Sequence, residues 1–186
     1  QAAAWLEDAG YRVESIAPPD VGVVADLWAR IGMDDVIARM LPDVRAHGDE
    51  AIKIAVGHWY DGYKRAHPDS GPQTVLDALI ERETCLRRWQ LFLQDHPLVL
   101  MPSSGEQAFP NDLDIQGVAE YERIWRAQLP QLLVPVLGLP AIAVPTGVHK
   151  GLPVGVQLVS ARFREDLCLD AAEIIEAQAN MPYPFD

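Results

Sequence analysis

Lysine is scarce in this chain, with only Lys53, Lys64 and Lys150 among 186 residues. Together lysine and arginine number 15 against 27 aspartates and glutamates, a formal charge of -12. That sign is wrong for a protein that holds a phosphate backbone by releasing counterions, so nucleic acid and anionic membrane surfaces are excluded as partners. Cysteine is rarer still: Cys85 and Cys168 are the only two, too few for a secreted disulfide scaffold and not spaced as zinc ligands. Both fall in segments that read as amphipathic helices, which makes buried thiols the expectation. No apolar run approaches the roughly 20 residues that span a bilayer. Glycine-rich dinucleotide fingerprints, phosphate loops and internal repeats are missing as well, so neither a cofactor nor a metal is expected.

What is present is an ordinary globular balance, 49% hydrophobic and 23% charged, enough for one domain with a sizeable core. The chain opens on "QAAAWLEDAG", a helix already under way and closed by Gly10; the true N-terminus is therefore expected upstream. Residues 11–17 alternate as a strand, Pro18 and Pro19 stop it, and Asp20 caps a helix over 21–41. A polar break over 42–50 follows, then a helix capped by Asp49 and running to about Arg65. Residues 74–95 repeat Val75, Leu79, Leu86, Trp89 and Leu93 along one helical face. "LVLM" at 98–101 has the form of a central strand buried on both faces.

The loop that leaves this strand, "PSSGEQAFPNDLD", is rich in turn formers, and such a loop is where ligands meet an α/β sheet. A helix over 115–133, stopped or bent at Pro130, carries Tyr121 and Trp125. Prolines 130, 135, 140 and 145 suggest an extended path into a hairpin, whose strands "AIAV" and "VGVQLV" are joined by "PTGVHKGLP" and expected to pair antiparallel. A last helix covers 163–178, and the tail 181–186 reads as extended.

A hydrolase needs a nucleophile, a base and oxyanion donors. Ser103-Ser104-Gly105 is the only adjacent serine pair and lacks the glycines of a nucleophile elbow, so a turn is the simpler reading, with a serine esterase built on Ser104 as a weaker one. His47, His58, His67, His96 and His149 form no helical i, i+4 pair. None of the three lysines lies in an apolar run that would desolvate it into a base. The candidate pocket residues are Met101, Ser103 and Phe109 on the strand and its loop, with Tyr121 and Trp125 on the next helix; no residue is assigned a catalytic role.

One stretch is more specific. "GLPAIAVPTGVHKGLPVGVQLVSARFREDLCLDAAEIIEA" uses Gly-Leu-Pro twice, and it resembles the C-terminal end of the amidase signature family over 137–177. There, Gly-Leu-Pro-Ala-Ile, a Pro-x-Gly turn, Leu-Pro-Val-Gly-Val-Gln-Leu and Phe-x-Glu-x-x-Leu follow in that order. The resemblance implies an α/β fold, part of a mixed sheet covered by helices, in a single incomplete domain 1–186. In it, 20–96 is a variable helical region that shapes substrate choice and 137–178 is the strand-hairpin-helix end. It also implies a cytoplasmic amide hydrolase acting on a small-molecule carboxamide, without cofactor, through two serines and a lysine. Nothing in this chain matches that catalytic segment, which the resemblance places in a missing N-terminal half. Two departures, "VPVLGLP" without an asparagine and Ser160 where a glycine is common, leave the subgroup open. The rival expectation is a noncatalytic module that binds a partner or forms a homodimer through an open sheet surface.

Overall fold

The structure, a computed structural model, describes residues 1–181. From Pro182 onward, the extended tail expected at 181–186 lies outside the described residues. Helix α1 (Ala2–Asp8) is followed by Gly10, whose φ of 98° is the left-handed geometry that suits glycine just past a helix. Residues 11–17, expected as a strand, form none. Their backbone makes no hydrogen bond to any other described segment apart from Tyr11, which donates to Leu6; alternation specifies a strand only where a neighbouring strand completes the ladder.

Helix α2 (Val21–Asp35) runs through a π turn at Val36–Met40 into α3 (Leu41–His47). Two expectations are corrected here. Asp20 does not cap α2 with its side chain; it sits at φ 55° and accepts from Arg88 at 3.0 Å. Pro42 does not open a polar break: it follows the π turn, in which the Leu41 amide reaches back five residues to the Val36 carbonyl, and the helix continues through it. Helix α4 (Glu50–Ala66) is capped as expected, the Asp49 carboxylate accepting from the Ile52 amide at 2.9 Å. The longest helix is α5 (Pro72–Asp95), with Leu86, Trp89 and Leu93 buried; Leu79, expected on the same face, is 40% exposed.

Strand β1 (Leu98–Pro102) leads through a 3-10 turn at Leu113–Ile115 to α6 (Val118–Ala127) and α7 (Leu129–Leu137). The single helix expected over 115–133 is thus two, and Pro130 starts the second rather than ending the first. Pro135 lies inside α7, so the path past prolines 130 and 135 is helical and not extended. Gly138 ends α7 at φ 62°, and the Arg162 guanidinium donates to the carbonyls of Leu137 at 2.9 Å and Gly138 at 3.3 Å. A cation there complements the negative helix end.

Strands β2 (Ala141–His149) and β3 (Leu152–Ser160) pair antiparallel as expected. Their connection is shorter than the sequence suggested: Lys150 and Gly151 alone form the turn, at φ 52° and 80°, the positive pair of a type I′ hairpin. The second Gly-Leu-Pro is therefore a turn exit, and Leu152 is 38% exposed. The first serves the core, with Leu139 buried and the Pro140 carbonyl accepting from the Ser160 amide at 3.1 Å. The Ser160 hydroxyl in turn donates to the Arg164 carbonyl at 2.7 Å, fixing the bend into α8 (Glu165–Ala179).

The sheet order is β1-β3-β2, all antiparallel. Among the described strands β3 is central, with Gln157 to Ser160 buried, and β1 is an edge rather than the central strand expected. Period-two alternation sends Val99, Met101 and Val159 to one face, against Trp89 of α5, Leu27 of α2 and Leu133 of α7. Leu98, Leu100 and Leu158 face the other way, against Leu6 of α1 and Ile175 of α8. Helices therefore cover the sheet on both faces, the α/β architecture expected.

Candidate functional site

Past β1, the loop and α6 enclose a groove of about 540 Å³. One wall is α6, where Tyr121, Ile124 and Trp125 share a face by their spacing of three and four. The other is the loop, through Phe109, Pro110 and the 3-10 turn residues Leu113 and Asp114; Gln128, Gln131 and Leu132 close the end towards α7. An apolar cavity with a few polar groups at its margin is the usual form of a small-molecule site.

The α6 wall is braced from behind. Trp125 stacks on Trp59 of α4 with ring centres 5.6 Å apart and planes at 19°, and Trp28 of α2 lies 5.1 Å from Trp125 and 5.8 Å from Trp59. Each such aromatic pair adds about 0.5–1.5 kcal/mol beyond burial, so three helices are clamped at the groove's back. His58 of α4 bonds through Nδ1 to the Asp114 carbonyl at 2.9 Å and presents its ring to Tyr121 edge-on at 6.4 Å. Burial pushes the Tyr121 phenol above its ordinary 10.0, and the nearby Asp114 carboxylate acts in the same direction. The phenol is therefore a neutral hydrogen-bonding group around pH 7.

Of the five sequence candidates, Phe109, Tyr121 and Trp125 meet in this groove. Met101 and Ser103 do not line it: Met101 faces the helical core by strand alternation, and Ser103 is half-buried at the strand's end. The Ser104 hydroxyl is used within its turn, donating to the Ala127 carbonyl at 3.4 Å and accepting from the Glu106 amide at 3.3 Å. Among the described residues no lysine or histidine bonds to it. Lys64, half-buried rather than fully solvated, donates to the Ser70 hydroxyl at 2.6 Å. Lys53 pairs with Glu50 at 3.1 Å and Lys150 is at the hairpin tip. His67 bonds to Asp26 at 2.9 Å, and among the described residues no three metal-ligating side chains converge.

From sequence, Trp28, Trp59, His58 and Asp114 were given no place in the pocket. Nothing local in the sequence says that the three helix faces carrying Trp28, Trp59 and Trp125 meet.

A sheet covered by helices on both faces, with a groove walled by the loop that leaves it, is the layered form of an α/β fold. The family model for amidases matches residues 1–169, and the chain belongs to the amidase family. Over 182 residues it is 33% identical to the indoleacetamide hydrolase of Bradyrhizobium diazoefficiens, covering 97% of this chain and 34% of that protein. Its fold is that of 6-aminohexanoate cyclic dimer hydrolase, with a TM-score of 0.67 at 20% identity over 98% of this chain and 40% of that one. A bacterial aryl acylamidase of the amidase signature family shares it too, at a TM-score of 0.60 and 19% identity, over 98% of this chain and 41% of that one. The chain thus spans little more than a third of the length of the curated relatives it matches. Among the described residues no helix is long and apolar enough to cross a membrane.

Proposed function

We propose that this chain is the C-terminal segment of an amide hydrolase that converts a carboxamide to carboxylate and ammonia. Its nucleophilic serine, second serine and lysine base lie in the part of the polypeptide that precedes this segment. The observation that carries the reading is the match to indoleacetamide hydrolase along 97% of the chain. The groove supports it chemically: Phe109, Tyr121 and Trp125 are among the residues that line its volume of about 540 Å³, aromatic surface suited to an aromatic side chain carried by the amide. In this division of labour the chain positions the acyl group and the remaining polypeptide attacks it. The helical stretch 20–96 contributes through Trp28, His58 and Trp59, which set where α6 stands and so how wide the groove is.

The test is ammonia release from indole-3-acetamide by the complete polypeptide and by the 186-residue chain. Ammonia and indole-3-acetate in equal amounts from the first, with none from the second, is the expected result. No ammonia from any of a panel of aryl and alkyl carboxamides would sink the reading, and ammonia released by the short chain itself would place the nucleophile within it.

A further inference from the structure

The groove beside α6 is lined mostly by aromatic and aliphatic side chains, and among its lining residues only Asp114 is formally charged. Gln128 and Gln131 lie at the α7 end. A carboxylate accepts hydrogen bonds and donates none, so its natural complement in a ligand is a donor. Asp114 is half-buried. Among the described residues it is bonded through its backbone carbonyl, to His58 Nδ1 at 2.9 Å, while no hydrogen bond or ion pair engages its carboxylate.

The backbone that carries this acceptor is held in place. Leu113, next to it, is buried, the Gln116 amide closes the 3-10 turn on the Leu113 carbonyl at 3.3 Å, and His58 holds the Asp114 carbonyl from α4. On the α6 wall, Tyr121 and Trp125 stand with ring centres 6.4 Å apart and planes at 46°, an angled aromatic surface. Burial raises the Tyr121 phenol first, and the Asp114 carboxylate is near enough to add to the effect. One fixed acceptor beside an aromatic wall is a preorganised receptor for a flat ring with an N–H on its edge.

We infer that Asp114 is a specificity residue of this groove: its carboxylate accepts a hydrogen bond from a ring N–H of the amide's aromatic group, so a heteroaromatic carboxamide with such a donor is preferred over one whose ring has none. The inference rests on the proposed function for the reaction and adds which aromatic amide is taken. A site built around one acceptor rejects the analogue that lacks the donor, because the acceptor is then covered without a partner. The same charge disfavours an amide whose ring carries a carboxylate of its own.

Two near-isosteric amides, indole-3-acetamide and benzothiophene-3-acetamide, test it on the complete polypeptide; the second has sulfur where the first has N–H. Their ratio is read as kcat/KM where ammonia is released and as Kd by calorimetry where none is. The indole amide should be favoured by about 10- to 100-fold, the range for a hydrogen bond to a charged group. Asp114→Ala should abolish that preference, chiefly by weakening the indole amide, and Asp114→Asn, which keeps an acceptor oxygen, should restore part of it. His58 bonds to the backbone at this position, so both variants keep that anchor. Equal values for the two amides in the unchanged protein, or a preference that survives Asp114→Ala, overturns the proposal. Equal weakening of both amides by Asp114→Ala overturns it too, because the carboxylate would then hold the carboxamide N–H and not the ring. A preference in Kd without ammonia release would refute the proposed function alone, and equal hydrolysis of both amides the role of Asp114 alone.

Discussion

Cys85 and Cys168 show how the interior sets single-group chemistry. Burial pushes both thiols above the ordinary 9.0; carboxylates near each add to the effect, and the Ser160 hydroxyl, 3.2 Å from the Cys168 sulfur, works against it. A group whose pKa is raised by folding binds more protons folded than unfolded above that value, so its stabilisation is complete below pH 9.0 and is lost as pH rises further. The urea midpoint should therefore fall between about pH 8 and about pH 10, and fall less in the Cys85→Ala, Cys168→Ala double variant; equal slopes would assign the loss to other groups. Ser104 makes the converse point, since its hydroxyl is a turn fastener. Ser104→Ala should cost about 1 kcal/mol of stability and leave kcat/KM of the complete enzyme within a few-fold, whereas a collapse of kcat would name it the nucleophile. Phe109 is half-buried in the groove wall, so Phe109→Ala in the complete enzyme should alter the ratio of aryl to alkyl amide kcat/KM more than it moves the thermal midpoint.

Elements succeed or fail on their backbone terms. The β2–β3 turn holds Lys150 at φ 52°, a region that costs a lysine about 1 kcal/mol and an asparagine less. Lys150→Asn should raise the thermal midpoint, an unchanged or lower value showing that the turn carries no strain. Gly155 is fixed by space: a Cβ there would meet the Val144 carbonyl oxygen at 2.8 Å, across the strand from the bulge. Gly155→Ala should cost about 1–3 kcal/mol in chemical unfolding. Trp89 of α5 is fully buried against the sheet, and its loss to alanine should cost about 3–5 kcal/mol; a smaller loss would mean that the layer above β3 collapses to fill the gap.

On the scale of the whole molecule, several apolar side chains among the described residues stay exposed. Val23, Leu76 and Ile80 on the outer side of α2 and α5 are 41%, 55% and 69% exposed, and Val23 and Ile80 line one further cleft. Patches of this kind mark surfaces that something covers. The 186-residue chain should bind a hydrophobic dye such as ANS, Ile80→Glu should weaken that binding without lowering the thermal midpoint, and the complete polypeptide should bind little; strong dye binding by all three would mean a loosely packed core instead.

Local sequence was enough for the helix-rich α/β class, the antiparallel hairpin, the cap at Asp49, the buried thiols and, through the stretch 137–177, the family. These are matters of periodicity, turn chemistry and motif, carried by residues close together in the chain. Packing settled the rest. Pro42, Pro130 and Pro135 read as breaks, yet lie in helices, the first after a π turn, the second in a first turn and the third held by packing. Residues 11–17 read as a strand, yet have no ladder, since pairing needs a neighbour and none of the described residues takes that place. The groove joins Phe109, Tyr121 and Trp125 to Trp28, His58 and Trp59 from α2 and α4, and a meeting of distant faces is set by how helices pack, which no spacing within one helix can encode.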